Sequence, residues 1–432
     1  MDDVEFCYHT TNMKNVASIA YGRPVSTCQM CHSSKLSLVL DLGHQPHSDF
    51  FPTEAQLREP EVRYPLRLVS CENCGLLQID YYVNPVILYQ QDYLYASSTT
   101  ETGKKHYTDT AKYICDLFTV PKNSLVVDIG SNTGVLLGGF KVAGMNVLGV
   151  DPAATAATVA NESGIKTLVE FFSLSVAQHI KMQYGPAAII TGTNVFAHMH
   201  DLDDAVEGMK HLLVAKGVII IEAPHALPLI ERGEYDTIYH QHIGYLSARP
   251  MQTYLARVGL ELFDIQELPI HGGSLRYFVG MPGEHAITPA VETMIRKEES
   301  FGLYAPARLA DFARGVVAQK KSLLELLLSL KEQNKQIIAL SAPAKGNTLL
   351  NYCQIDRTFL NYATEKNPLK IGRFTPGTHI PIYSDDRIMK DKPDYALILA
   401  WNFATEIMKN SAEYRRVGGN FIIPIPMPHI IK

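Results

Sequence analysis

The stretch EYDTIYHQHIGYLS, Glu234 to Ser247, places one phenol, Tyr239, and two imidazoles, His240 and His242, within four residues. Imidazoles titrate near neutral pH, and a phenol can donate a hydrogen bond to a developing negative charge, so the group has the parts needed to move a proton. The same side chains also suit a half-polar niche in a core. The rest of the chain has to decide between these readings.

A second group is the cysteines. Of seven, Cys28, Cys31, Cys71 and Cys74 form two CxxC pairs, in TCQMCHSS and SCENCGLL, while Cys7, Cys115 and Cys353 stand apart. Paired knuckles of this spacing predict a tetrahedral, four-thiolate Zn2+ site, with Gly75 permitting the tight turn of the second knuckle. A disulfide framework or a redox CxxC would be the alternative, but redox motifs open a helix and do not come in pairs. His32, His44 and His47 could compete as ligands and are more simply exposed or substrate-facing. With four thiolates bound no coordination position is open, so the ion would be structural.

A third group lies in SLVVDIGSNTGVLLGGFKVAGMNVLGVDPAA. An apolar run from Leu125 to Val127 leads to Asp128, then to a loop holding Gly130, Asn132 and Gly134, and a second apolar run ends at Asp151. Strand, glycine turn, helix and strand with an acid at the second strand tip is the arrangement that holds a ribose diol. The loop is not G-x-G-x-x-G, and Asp128 repels a pyrophosphate while suiting a cationic sulfonium, so S-adenosylmethionine fits better than NAD.

Elements that position these groups follow from the pattern around them. Runs at Ala187 to Thr191, ahead of a polar loop with Asn194 and His198, and at Gly217 to Glu222 continue the alternation. A helix from Arg249 to Val258 and two strand-like runs flanking PIHGGS follow, predicting five parallel strands closed by an antiparallel hairpin. Helical sequence then runs from about Thr288 to Lys335, and beyond it IIALSA, PAKGNT, DYALILAW and NFIIPIP predict a second, smaller Rossmann-like α/β unit. Lys345 follows its first strand, where open α/β sheets bind anions, or else it is a solvated lysine on a packed loop. The expected organisation is α/β throughout. Residues 1–85 form a small zinc-binding domain, 86–285 a class I methyltransferase Rossmann-like domain and 286–432 a substrate-binding Rossmann-like domain.

The chain's 432 residues suit two or three domains, and a net charge of −5 (39 Lys+Arg against 44 Asp+Glu) excludes the basic excess that non-specific nucleic-acid binding needs. MDDVEFCYHT shows no basic segment followed by an apolar run, and no stretch reaches membrane-spanning length, so a cytoplasmic protein with no membrane partner is expected. Whether it is a monomer or a dimer is open.

In this order the paired CxxC motifs, VVDIGSNTGVLL, TNVFAH, DTIYHQH, HGGSLR, APAKGNTLLNYC, NPLKIGRFTPGTHIPI and WNFATEI resemble the C-methyltransferases that act at carbon 3 of nucleotide-linked 4-keto deoxysugars, from about Cys28 to Pro428. The resemblance implies structural zinc in the first domain, S-adenosylmethionine in the second and a nucleotide-linked ketosugar held with help from the third. It gives proton abstraction to His242, sets Tyr239 beside it, and brings Tyr95 and His198 into the substrate pocket. It also turns Ser274, Arg276, Lys345 and Asn347 toward the substrate.

Carbon methylation needs a carbanion, hence a neighbouring carbonyl, a base and a donor for the enolate oxygen. His242 is the best base and Tyr239 a donor. Relatives commonly carry an acid where Gln241 stands, and an amide can neither accept a proton at neutral pH nor raise the basicity of a neighbouring imidazole. IIALSAPAKG also lacks the glycine-rich turn often found before the lysine. Two rival readings remain at this level: an epimerase or isomerase using the same enolising pocket, and a non-catalytic nucleotide-sugar scaffold.

Overall fold

A computed structural model describes residues 21–90 and 101–432. The expected Tyr95 lies outside the described residues. The first portion holds β1 (Gly22–Pro24), β2 (Leu36–Pro46), β3 (Arg63–Cys71), β4 (Leu77–Ile79), β5 (Tyr81–Val83) and the short helix α1 (Pro85–Tyr89). The long interval between the two knuckles is spent largely on the β2–β3 hairpin, whose register runs from Leu36 opposite Cys71 to Pro46 opposite Arg63. The hairpin therefore begins at one knuckle and returns to the other.

The middle portion comprises α2 (Glu101–Phe118), β6 (Leu125–Ile129), α3 (Val135–Val142), β7 (Asn146–Val150), α4 (Ala154–Glu162), β8 (Thr167–Leu168), α5 (Leu174–Tyr184), β9 (Ala187–Thr193), α6 (Leu202–Leu212), β10 (Leu213–Pro224), α7 (Ala226–Arg232), β11 (Gly244–Tyr245), α8 (Ala248–Arg257), β12 (Glu261–Leu268) and β13 (Ser274–Gly280). Its seven-stranded sheet has the order β12-β13-β10-β9-β6-β7-β8. β8, β7, β6, β9 and β10 run parallel, and β13 pairs antiparallel with both β10 and β12. This is the five-strand sheet with terminal hairpin that the sequence predicts, with β8 as a strand the apolar pattern does not announce. β6 is buried along its whole length, as a parallel strand covered by helices on both faces must be.

The last portion contains α9 (Pro289–Phe301), α10 (Pro306–Glu332), β14 (Ile337–Leu340), α11 (Ala344–Cys353), β15 (Ala363–Glu365), β16 (Ile382–Ser384), β17 (Tyr395–Ile398), β18 (Asn420–Ile423) and β19 (His429–Ile431), with short helices between the later strands. The expected continuous helix is two. Gly302 adopts φ +81° after Phe301, and Pro306 restarts the chain at the first turn of α10. The sheet order β16-β15-β14-β17-β18-β19 is parallel except for the last pair. It is the second α/β unit expected.

The four cysteine sulfurs lie within 4.8 Å of one another, with Cys28 Sγ 3.6 Å from Cys74 Sγ and Cys31 Sγ 3.5 Å from Cys71 Sγ. Zn–S bonds of about 2.3 Å place tetrahedral thiolates about 3.8 Å apart, so this donor set fits zinc. The hydrogen bond between Cys28 and Cys74 lowers the pKa of Cys28 and raises that of Cys74, so the pair shares one proton before metal binds.

The knuckles do more than close the hairpin. Gln78, in β4, is fully buried; its side chain accepts from the Gln29 backbone at 2.9 Å and donates to Thr27 O at 3.2 Å, tying β4 to the first knuckle. β4 then pairs antiparallel with β11, which follows the YHQH stretch, as Gly244 opposite Gln78 and Tyr245 opposite Leu77. The N-terminal four-stranded sheet is thus β11-β4-β3-β2, completed by a strand from the middle of the chain.

Zinc is expected at one ion per chain by elemental analysis. Cys71→Ser should lose it and destabilise the fold by more than about 4 kcal/mol, as loss of a structural metal does. Chelation should lower the unfolding temperature and methyl transfer together, because β11 loses its partner strand. Full stability and activity in a zinc-free preparation would contradict this.

Candidate active site

Tyr239 and His242 are half-buried and in direct contact. The Tyr239 hydroxyl is 2.8 Å from His242 Nε2, and His242 Nδ1 is 2.9 Å from Thr237 O. A carbonyl only accepts, so Nδ1 carries the ring hydrogen and donates it. Nε2 is therefore the basic nitrogen, and the Tyr239 O–H points at it. The two rings lie 4.0 Å apart.

His198 ends a one-turn 3-10 helix, Phe196–His198, after β9, and its ring lies 4.9 Å from that of His242. Burial, then the neighbouring His242 and His200, holds its pKa well below the usual histidine range. His198 is therefore neutral. Tyr89, buried at the end of α1, reaches His198 Nδ1 and the Gln241 carbonyl, both at 3.4 Å. Gln241 itself is buried. His240 turns away from the dyad: its Nε2–H donates to Pro65 O at 3.1 Å, and burial lowers its pKa to about 4.

The backbone around these side chains is held from three sides. Ile243 N–H donates to Ala197 O at 2.8 Å, and Ile79 N–H donates to Ile243 O at 2.9 Å. Gln29 of the first knuckle donates its side-chain amide to Met199 O, beside His198. From the last portion, Thr348 Oγ1 on α11 donates to Ile238 O at 3.1 Å, and Trp401 Nε1, in the turn after β17, to Asp236 Oδ2 at 2.7 Å. Lys345 Nζ lies 3.9 Å from that carboxylate oxygen and 3.9 Å from the Trp401 ring centre. Asp236 adjoins Thr237, whose carbonyl orients His242, so these supports bear on His242 through one peptide unit.

The glycine loop sits against the same turn. Gly130 (φ +69°) and Gly134 (φ +78°) take left-handed conformations, and a Cβ on Gly130 would meet the Val195 side chain at 2.7 Å. Asp151 accepts from Asn132 N at 2.8 Å (Oδ2) and Ala153 N at 2.8 Å (Oδ1). Each oxygen keeps a further lone pair for a ribose hydroxyl. Asn194 (φ +54°) presents a buried side-chain oxygen with no partner, as does the Ser131 hydroxyl. Asp128 accepts from Thr191 Oγ1 at 2.6 Å, and burial raises its pKa to about 7. A bare loop, an acid with open lone pairs and orphaned polar atoms fit S-adenosylmethionine.

The four residues expected to face a substrate are not brought together. Arg276 is buried and committed: its Nη2 donates to Glu222 at 2.8 Å and Thr110 at 2.7 Å, and its Nη1 to Gln266 at 3.0 Å. His106 occupies the other oxygen of Glu222 at 2.6 Å. With its donors taken up, Arg276 ties β13 to β10 and α2. The Ser274 hydroxyl closes its own turn on Ile270 O at 3.1 Å. Lys345 and Asn347 do stand on α11, beside the catalytic stretch. Sequence reasoning missed Tyr89, Trp401 and Asp236, which carry no spacing signal because their partners are distant in the chain.

Asp151→Ala should weaken S-adenosylmethionine binding by about 2 kcal/mol, the loss of a charge-assisted hydrogen bond. Calorimetry giving unchanged affinity would place the ribose elsewhere.

Three family models match the chain: a zinc binding domain over residues 28–89, a methyltransferase domain over 105–265 and a C-methyltransferase C-terminal domain over 269–426. The C-methyltransferase NovU of Streptomyces niveus is 31% identical over 411 residues, covering 95% of this chain and 98% of that protein. Among solved structures, an S-adenosylmethionine-dependent methyltransferase from Clostridium acetobutylicum ATCC 824 aligns with 42% of this chain and 92% of its own at 13% identity, TM-score 0.33. Magnesium protoporphyrin IX methyltransferase from Synechocystis PCC 6803 aligns with 41% and 81% at 15% identity, TM-score 0.32. Matched from its cysteine knuckles to its last sheet, the chain belongs to the C-methyltransferases, as an S-adenosylmethionine-dependent enzyme with an N-terminal zinc-binding domain.

Proposed function

We propose that the enzyme methylates the carbon next to the keto group of a nucleotide-linked 4-keto deoxysugar, with His242 as the base. The observation that carries this reading is the Tyr239–His242–Thr237 chain of hydrogen bonds, which fixes Nε2 as the basic atom and sets a phenol O–H beside it. When the substrate's keto oxygen takes the Tyr239 hydrogen bond, Nε2 is released to remove the proton from the adjacent carbon. The C–H electron pair moves into the carbonyl, and Tyr239 stabilises the enolate oxygen.

His242 becomes an imidazolium whose Nδ1–H still binds Thr237 O, and neutral His198 adds no repelling charge. S-adenosylmethionine, when bound, would supply the methyl group, its S–CH3 electron pair going to the sulfur to leave a neutral thioether, as the enolate carbon forms the new C–C bond and the keto group returns. The proton on Nε2 then leaves to solvent. The reduced thiols suit a reducing compartment, the cytoplasm, as the place of action.

His242→Asn should cost roughly 100- to 10,000-fold in turnover while both ligands still bind, the usual cost of losing a general base. Tyr239→Phe should also slow turnover, and His240→Asn should matter less than either. The assay is product mass after incubation with labelled S-adenosylmethionine and a panel of nucleotide 4-ketosugars. A mild effect of His242→Asn removes the base assignment, and no methylated product from any ketosugar removes the substrate class.

A further inference from the structure

A second cluster of polar side chains lies beside the dyad and takes no part in the chemistry above. It is built where three segments meet: the turn after β2, with His47 and Ser48; His240 of the catalytic stretch; and Asn347 of α11. Their exposures are 6%, 4%, 1% and 1%. Among these side chains both nitrogens of His47, the Ser48 hydroxyl, His240 Nδ1 and Asn347 Oδ1 are buried without a hydrogen-bond partner. Asn347 bonds Ser48 O, and His240 is close enough to His47 to perturb it, so the four residues are linked. Buried polar atoms are nearly always paired, so five orphans on linked residues point to a ligand.

The bonds these residues do make fix what the ligand must offer. His240 donates through Nε2 to Pro65 O, which leaves Nδ1 as an acceptor. Asn347 Nδ2 donates to Ser48 O at 2.7 Å, which leaves Oδ1 as an acceptor. Neutral His47 adds one donor and one acceptor, and Ser48 a hydroxyl of either sense. Burial, with His240 adding to it, lowers the pKa of His47 to about 3, so it brings no positive charge.

Lys370 is bonded to Ala342 O at 3.0 Å and lies 3.7 Å from Asp49. An excess of acceptors disfavours a phosphate or carboxylate, which bring only acceptors. Hydroxyl groups, each donating one hydrogen and accepting another, satisfy the set.

We propose that His47, Ser48, His240 and Asn347 form a subsite that binds the hydroxyl groups of a neutral sugar ring of the substrate. The proposal rests on the nucleotide-sugar reading above. Those hydroxyls belong either to the sugar that reacts or to the pentose of the nucleoside. His240 stands next to Tyr239 and two residues before His242, so the subsite and the dyad are carried by the same stretch.

Calorimetry with thymidine diphosphate glucose, thymidine diphosphate, its 3′-deoxy analogue and inorganic pyrophosphate tests this on the zinc-loaded enzyme. Ser48→Ala, whose hydroxyl bonds to nothing in the fold, and His240→Phe, which keeps the ring against Tyr64, are the variants. Each should weaken thymidine diphosphate glucose about tenfold, as loss of a buried hydrogen bond does, and leave pyrophosphate unchanged.

Unchanged thymidine diphosphate assigns the hydroxyls to the reacting sugar. A loss shared with thymidine diphosphate and absent with the 3′-deoxy analogue assigns them to the pentose. A loss shared with the 3′-deoxy analogue or pyrophosphate, or none with any probe, overturns the subsite. Failure of the wild-type enzyme to bind any of the thymidine, uridine, cytidine, adenosine or guanosine diphosphate sugars overturns the nucleotide-sugar reading instead, and the subsite with it. In the wild-type protein the His240 ring 15N signals should move on adding thymidine diphosphate glucose and stay in place with pyrophosphate, a readout independent of any variant's folding.

Discussion

Two backbone residues, Gly244 and Tyr245, pair with Gln78 and Leu77 at the edge of the N-terminal sheet, and the active site depends on that pairing. A stretch rich in tyrosine and histidine has no regular structure of its own to hold a base within hydrogen-bond reach of an acid. Here its exit is a strand locked to β4, and β4 is locked by Gln78 to the cysteine knuckle. Sites carried on loops stay accurate only when their supports are rigid, and this support is fixed by metal and by sheet.

The packing follows the same plan. Ile238, Ile243, Tyr235 and Tyr245, all on the catalytic stretch, belong to one apolar cluster with Leu40, Phe51 and Ile79 of the first portion and Leu349, Leu350 and Ile380 of the last. The cysteines themselves pack with Leu246, Met251 and Tyr254 of the middle portion. The side chains of Ile238, Ile243, Tyr235 and Tyr245 are buried in the core, while Tyr239 and His242 remain half-buried. Burying an isoleucine such as Ile243 contributes about 1.5–3 kcal/mol, which holds the stretch far more firmly than the polar contacts alone.

What was legible in the sequence is what local chemistry determines. Four cysteines at knuckle spacing, a glycine turn between apolar runs and an acid at the next strand tip are local patterns, and each lies where the pattern puts it. The long helix was read without its break because the segment holds few glycines, and a single left-handed one at Gly302, followed by Pro306, is enough to end one helix and start the next. Arg276 and Ser274 were legible as residue types but not as partners. Glu222 lies directly opposite Arg276 only because β10 and β13 pair antiparallel, a register set by tertiary structure. The acceptors around His47 were hidden for the same reason, since they come from three distant segments.

The pairing of β4 with β11 also has a consequence for how the chain is made. β4 emerges early, with the cysteines, yet the strand that covers its edge comes from beyond β10. Until then one edge of a small, zinc-pinned sheet, with the apolar Leu77 and Ile79 along it, lacks its partner. Open edges of this kind recruit strands from other chains. Translation must therefore outrun association at that edge, and a slow or stalled ribosome between β4 and β11 exposes the nascent protein to mispairing that the finished enzyme has no means of showing.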